Sequence, residues 1–285
     1  MPLLSALFAV IAAASNATGT AFQRKAASTV PSGGGLGLLR RLARRPAWYV
    51  GIAGLTGAAL FQALALANGP LSLVQPIFIL ELPFALLIGF PLLHRHLPAQ
   101  GWWAIATVVT GLALVLAAAD PSGTRDQAPM TRWLPALAAC LGAMALTVLP
   151  ALRARSGLLK AACLGAGSAV GNAVTAAQLK SATGTLQEDG LAAFFQTWQT
   201  YGFVATGIAA VLLLENALQA GSLAASQPAL TIGDAGISLV LGITLFDESV
   251  RAGWWLLPEL AGIALIVWGI QKLTRTVPHI SDLAG

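Results

Sequence analysis

The stretch LSLVQPIFILELPFALLIGFPLL, residues 71–93, is long and apolar enough to cross a bilayer, yet Glu81 lies at its middle. A helix of about 20 apolar residues spans the hydrocarbon core. A carboxylate at that depth is costly and normally faces a cavity, an ion path or a proton relay. The stretch GSLAASQPALTIGDAGISLVLGITLF, residues 221–246, carries Asp234 at a similar depth. Together these stretches predict a helical membrane protein with acidic side chains near the bilayer midplane.

The composition extends this prediction to the whole chain. Of the 285 residues, 56% are hydrophobic and 9% are charged, whereas a soluble domain has about 25% charged residues. Such a chain cannot cover itself with a polar surface, so we expect an all-α, polytopic membrane protein whose partner is the lipid bilayer. The apolar pattern predicts nine spans, at residues 2–22, 47–67, 70–93, 101–119, 133–151, 158–179, 200–218, 221–246 and 254–271. Basic residues cluster between these segments, so the net charge of +5 does not indicate nucleic-acid binding.

The two acidic stretches belong to an internal repeat. Residues 65–103 align with 217–255, and the match includes the Gln-Pro pairs at 75–76 and 227–228 and the Gly-Trp-Trp runs at 101–103 and 253–255. The copies begin at the first and sixth segments. Because five spans, an odd number, separate them, the copies must be inverted in the membrane. Inverted repeats are common in secondary transporters, which bind substrate at the interface between the repeats.

The positions of the basic residues predict the orientation. Most of the 16 lysines and arginines fall on the side that is cytoplasmic when the N-terminus is outside, in agreement with the positive-inside rule. We therefore expect a first repeat of four helices at 1–120, an outer loop at 121–132, a second repeat of five helices at 133–275 and a cytoplasmic tail at 276–285. The short loops fit a multi-pass protein of a bacterial plasma membrane.

The run GPLSLVQP at 69–76, followed by a long apolar helix, a short polar turn and a Gly-bearing helix, resembles the drug/metabolite transporter superfamily, including its EamA-like members. The run FQRKA at 22–26 and the run RPAW at 45–48 resemble more narrowly its NIPA-type branch, which is associated with magnesium transport. The turn Asp247-Glu248-Ser249 stands where the superfamily often has a Gly-Glu-Arg-like turn. The resemblance implies alternating access by two inverted repeats. This chain departs from the usual ten-helix pattern, since its first repeat has four helices.

Several polar side chains are candidates for a site within the bilayer. Glu81 and Asp234 are the strongest, because a carboxyl group that gains and loses a proton could exchange protons for a substrate. Each acid follows a Gln-Pro pair, and a proline frees a backbone carbonyl one turn earlier. The other candidates for substrate or ion binding are Gln75, Gln227, Asn16, Asn172 and Glu215, with Pro76 and Pro228 as expected helix breaks. Packing and interhelical hydrogen bonding remain the alternative roles for the uncharged residues.

Three functions fit these features. The leading prediction is a secondary transporter that moves a small metabolite or drug-like solute, coupled to a proton or ion gradient through Glu81 and Asp234. The second is a NIPA-like magnesium or divalent-cation transporter in which the same two carboxylates contact the transported Mg²⁺. The third is a membrane scaffold or sensor that transports nothing. We expect no enzymatic activity and no cofactor, because the sequence contains no nucleophile-and-base motif and no Walker-type loop. The small-residue helices would allow a homodimer.

Overall fold

The computed structural model describes residues 2–28, 44–92, 96–123, 125–154, 157–220, 223–251 and 253–276. Within these ranges the chain is helical, with a single isolated antiparallel bridge between Ser122 and Ser249 and no strand. The helices are α1 Pro2–Ser28, α2 Pro46–Asn68, α3 Leu71–Leu92, α4 Ala99–Ala119, α5 Met130–Arg153, α6 Leu158–Gln196, α7 Trp198–Ala220, α8 Leu223–Phe246 and α9 Leu256–Thr276. The expected all-α class is therefore confirmed.

Eight of these helices are long and apolar enough to cross a membrane. Each of the nine predicted segments corresponds to a helix, but α6 is outside this set of eight. It extends to Gln196, with a break at Gly190, whose φ of 84° is outside the helical region. The first helix likewise continues to Ser28, and α5 starts at Met130, inside the stretch expected to be a loop.

The centre of the bundle is formed around α6. This helix contacts α5, α7, α8 and α2, and most of its residues from Ala161 to Thr185 are buried. A helix enclosed by other helices has little contact with lipid, so its surface can contain more glycine, serine and threonine than a lipid-facing helix. Its low hydropathy therefore follows from its central position. By contrast, α5 exposes Leu134, Leu141, Leu146, Leu149 and Leu152.

Helix pairs approach closely through glycine. A Cβ atom added to Gly54 of α2 would lie 2.7 Å from the Cα atom of Gly19 in α1. In the second half of the chain, a Cβ atom on Gly171 of α6 would lie 2.8 Å from the Cβ atom of Ala210 in α7. Small residues at such crossings allow backbones to pack closely inside a membrane. A close contact at a small residue therefore joins α1 to α2 in the first half of the chain and α6 to α7 in the second.

The last helices of the two halves, α4 and α9, meet at a reciprocal glycine contact. A Cβ atom on Gly111 would lie 2.7 Å from the carbonyl oxygen of Gly262, and a Cβ atom on Gly262 would lie 2.7 Å from the carbonyl oxygen of Gly111. Neither glycine can therefore gain a side chain unless the two backbones separate.

Replacing Gly111 with alanine should destabilise this crossing by about 1–3 kcal/mol, the usual cost of overpacking a core. The change can be measured as a lower free energy of unfolding in detergent. Gly142→Ala is the matched control, because no heavy atom lies within 4 Å of a Cβ atom at that position of α5. The control should be neutral or slightly stabilising, since alanine favours helix over glycine. Equal destabilisation by the two variants would contradict close packing at Gly111.

Candidate functional site

Helix α3 changes its hydrogen-bonding pattern directly before Glu81. The α-helical turn Leu71–Ile77 is followed by a 3₁₀ segment, Phe78–Leu80, and Glu81 begins the second α-helical piece. Pro76 lies within the first piece and has no backbone N–H to donate. Glu81 therefore follows a short 3₁₀ segment within one continuous helix, Leu71–Leu92. Its backbone N–H group bonds back to the carbonyl oxygen of Phe78.

Asp234 occupies the corresponding part of α8. Its carboxylate accepts a hydrogen bond of 3.3 Å from the Ser238 hydroxyl, one turn later on the same helix. The preceding residue, Gly233, is close to α6, since a Cβ atom there would lie 2.9 Å from the Cβ atom of Ala169. Similarly, the 3₁₀ segment before Glu81 packs against α1. Each acid thus lies on the third helix of its half, where that helix contacts the first.

The other predicted site residues are dispersed. Asn16 in α1 and Asn172 in α6 are half-buried, and neither side chain is hydrogen-bonded to another described residue. Gln75 is buried, and its backbone carbonyl accepts a hydrogen bond from the Phe78 N–H group. Glu215 is exposed on the last turns of α7.

The second Gln-Pro pair differs from the first. Helix α8 stays α-helical through Pro228, whereas a 3₁₀ segment follows Pro76 in α3. The side chain of Gln227 lies outside the described residues.

The described contacts do not join these residues into one site. No described hydrogen bond or ion pair connects Asn16, Gln75, Asn172, Glu215 or Asp234 to another predicted site residue. Among the described residues, no three histidine, cysteine, aspartate or glutamate side chains are placed to hold a metal ion. Asp234 of α8 is therefore separate from the other four of these residues in this conformation.

A second set of polar residues, which we call the Lys180 cluster, consists of the side chains of Lys180, Glu248, Asp126 and Ser72 and the backbone of Gly69 and Leu71. The Lys180 ammonium group donates a hydrogen bond of 2.9 Å to the carbonyl oxygen of Gly69. It also lies 2.9 Å from Oδ1 of Asp126 and 3.9 Å from Oε1 of Glu248. Its side chain is only 1% exposed. A lysine this deeply buried requires such partners, because an unpaired buried charge is very costly.

Glu248 caps the N-terminus of α3. Its Oε1 atom accepts a hydrogen bond of 2.6 Å from the Leu71 N–H group. Its Oε2 atom accepts one of 2.9 Å from the Ser72 N–H group and one of 2.6 Å from the Ser72 hydroxyl. These are N–H groups that the helix itself leaves without acceptors, and a carboxylate there also interacts favourably with the helix dipole. The acid and the helix that it caps are 176 residues apart in the chain.

Local sequence explains how Glu248 reaches this place. The turn after α8 contains Asp247 with a φ of 51°, in the left-handed region that aspartate tolerates better than most residues. Glycines provide the space for the carboxylate: a Cβ atom on Gly242 would lie 2.3 Å from Oε2 of Glu248, and one on Gly123 would lie 2.9 Å from its Cγ atom. An alanine at either position would therefore displace the Glu248 side chain.

Exposed ion pairs surround the cluster. Asp247 pairs with Arg132 and Arg125, and Arg251 pairs with Asp120 at 2.6 Å. The hydrogen bond from Arg132, together with the charges of both arginines, lowers the pKa of the Asp247 carboxyl group below its ordinary value. Any stability from this ionised group is therefore present above the ordinary pKa and is lost only as the pH falls through the lowered one. Exposed pairs of this kind contribute little.

Sequence reasoning missed the Lys180 cluster. The predicted sixth segment ends at residue 179 and assigns Lys180 to the outer side, whereas the structure places it inside α6, where it is buried. Glu248 was recognised only as part of a polar turn. The available signal was the run KSATGT at 180–185, which has a helix period but too many polar residues for an exposed membrane helix.

Comparison with known proteins gives one full-length relative. An uncharacterized protein of Corynebacterium glutamicum is 28% identical over 291 residues, and the match covers 97% of both sequences. No family model matches the chain, and no solved structure matches it. The similarity therefore extends over nearly the whole helical bundle.

Proposed function

We propose that this chain is a secondary transporter of the drug/metabolite type that moves a small solute by alternating access, coupled to a proton or ion gradient through Glu81 and Asp234. The observation that carries the proposal is the 3₁₀ segment Phe78–Leu80, which directly precedes Glu81 inside a helix long and apolar enough to span a membrane. A 3₁₀ stretch in the middle of a helix often marks a functional hinge, and transporters of many folds build their sites near the midplane where a helix departs from regular geometry.

Packing of the two halves supports an inverted repeat. Helices α1 to α4 and α6 to α9 follow the same order, and glycine contacts join the first two helices in each set. The reciprocal contact between Gly111 and Gly262 is the kind that a pseudo-twofold axis produces, because Gly262 lies next to residue 263, the counterpart of Gly111 in the repeat alignment. In this proposal α6 also spans the membrane, which raises the number of spans from eight to nine, and α5 has no equivalent in the first half.

The polar ends of the helices support the proposed placement. With the N-terminus outside and the C-terminus in the cytoplasm, the Lys180 cluster lies at the outer end of the bundle, where α2 ends and α3 begins. Counted from Leu158, Lys180 is about 33 Å along α6, taking a rise of about 1.5 Å per residue. That distance is close to the thickness of the hydrocarbon core of a typical bilayer. The location we propose is a plasma membrane.

Flux through proteoliposomes tests the function. Vesicles would contain a pH dye and a magnesium dye, and the external probes would be ethidium, Mg²⁺ and a mixture of amino acids, each added alone. We expect wild-type protein to move one probe, and we expect Glu81→Gln and Asp234→Asn each to reduce that flux at least about tenfold, because a neutral amide cannot exchange a proton. Both substitutions keep the shape of the side chain.

Glu188→Gln and Asp189→Asn serve as controls for a change of charge away from the midplane, because both carboxylates are exposed near the end of α6, and neither should abolish flux. Flux of Mg²⁺ alone would identify the cation alternative, whereas probe-triggered acidification or alkalinisation would identify a proton-coupled solute carrier. If the double variant of Glu81 and Asp234 carries every probe as fast as the wild type, the two acids have no part in transport and the proposal fails.

A further inference from the structure

The Lys180 cluster joins the two halves of the chain at one end of the bundle. Gly69, Leu71 and Ser72 belong to the start of α3, in the first half, whereas Lys180 and Glu248 belong to α6 and the α8–α9 turn, in the second. Asp126 comes from the segment that connects the halves. Every polar contact of Lys180 and Glu248 in the cluster, apart from the one between them, therefore reaches outside the second half.

The charged pair at the centre of the cluster is buried and hydrogen-bonded, and it has an apolar lining. Lys180 and Glu248 are each 1% exposed at the side chain. The Lys180 ammonium lies 5.4 Å from the centre of the Phe246 ring, and that ring packs edge-on against the buried Trp133. An ion pair in a low-dielectric environment is strong only while its geometry is kept. A separation of α3 from α6 would remove the Gly69 carbonyl from Lys180 and the Leu71 and Ser72 donors from Glu248, so the contact between the halves is either formed or broken.

We propose that the Lys180 cluster is the outer gate of the transporter: it holds the two repeats together in the conformation described here and must come apart when the pathway opens at that end. This inference rests on the proposed function, since a gate has a role only in alternating access. Lys180 and Glu248 act as positioning residues that hold α3 against α6, and they need not contact the transported solute. The solute would leave or enter at the opposite end while the cluster is intact.

Accessibility of a cysteine beneath the cluster tests the gate without any knowledge of the solute. Val74 is fully buried on α3, two residues after Ser72. In a background with Cys140→Ala and Cys163→Ala, the Val74→Cys protein in lipid nanodiscs would be treated with a charged methanethiosulfonate reagent. Glu248→Gln should accelerate modification at least about tenfold, which corresponds to a shift of about 1.4 kcal/mol between the closed and open states. Asp247→Asn, at the adjacent exposed pair, should leave the rate unchanged.

A second cysteine separates opening of the gate from unfolding. Val108→Cys on α4 is also fully buried, but it lies in a different apolar cluster, formed by α3, α4 and α9. The gate predicts that Glu248→Gln raises the modification rate of Val74→Cys while the modification rate of Val108→Cys stays constant. An unchanged Val74→Cys rate, or an equal rise at both positions, would overturn it. If Glu248→Gln accelerates modification of Val74→Cys but the wild-type protein moves no probe, the proposed transport fails and the gate-like contact stands. If the wild-type protein moves a probe but Glu248→Gln leaves the modification rate of Val74→Cys unchanged, the gate fails and transport stands.

Discussion

Replacing Lys180 with methionine should lower the free energy of unfolding by about 3–5 kcal/mol, the usual cost of removing one partner from a buried ion pair. Methionine keeps the length of the side chain but removes the ammonium group. The carboxylates of Glu248 and Asp126 then face each other without the positive charge between them, and the Gly69 carbonyl loses its donor. The change would be measured by titration with sodium dodecyl sulfate in mixed micelles, followed by circular dichroism.

Lys160→Met is the matched control, because it changes the same residue type on the same helix. Lys160 is half-buried near the start of α6 and has no described ion pair, so its loss should cost less than about 1 kcal/mol. A further variant, Lys180→Met with Glu248→Gln, should recover part of the lost stability. Removing both charges leaves no unpaired ion, whereas the glutamine carbonyl can still accept from the α3 N-terminus. An unfolding free energy for Lys180→Met close to that of wild type would show that the cluster is hydrated.

The helical framework was predictable because it depends on local composition. A run such as residues 101–119 must form a helix once it enters a bilayer, since every backbone group has to be hydrogen-bonded within the segment. The same reasoning expected breaks at both Pro76 and Pro228, from a missing N–H group. In the structure a 3₁₀ segment follows Pro76, whereas α8 stays α-helical through Pro228. The two prolines have the same chemistry, so their neighbours in the folded protein decide how each helix responds.

The Lys180 cluster could not be predicted in the same way, because its contacts are distant in sequence. A hydropathy pattern treats Lys180 as a residue that must reach water, and so it ends the sixth segment at residue 179, whereas α6 continues to Gln196. A local hydropathy pattern does not include Asp126 or Glu248, which lie 54 and 68 positions away in the sequence. Likewise, nothing near Glu248 indicates that its carboxylate caps α3. Burial of a charge depends on partners that only the tertiary fold provides.

These long-range contacts also determine which parts of the molecule can move. Packed cores and interfaces switch between discrete arrangements, and the hydrogen bonds of Glu248 to the α3 N-terminus are either formed or broken. An outer gate built on Lys180 and Glu248 would therefore open and close as one unit. The neighbouring bridge between Ser122 and Ser249 crosses the same boundary, from the connecting segment to the α8–α9 turn. A covalent bond at this bridge should hold the gate closed.

A disulfide between cysteines at positions 122 and 249 should abolish transport reversibly. Ser122 and Ser249 exchange backbone hydrogen bonds of 3.0 and 2.8 Å, and their hydroxyl oxygens are 2.8 Å apart. The side chains already point at each other, so Ser122→Cys and Ser249→Cys should oxidise readily in the background without Cys140 and Cys163. We expect the oxidised protein to retain less than about a tenth of the flux, because a closed gate confines the population to one state.

Dithiothreitol should restore flux to the level of the same protein before oxidation, which excludes damage to the fold. Each single cysteine variant, treated with the same oxidant, should keep the flux of the double variant measured before oxidation. In the oxidised double variant, Glu248→Gln should no longer accelerate modification of Val74→Cys, because the bond replaces the lost ion pair as the connection between the repeats. Full flux through the oxidised protein would mean that this end of the bundle stays closed throughout transport, and the role of Lys180 and Glu248 would then be confined to stability.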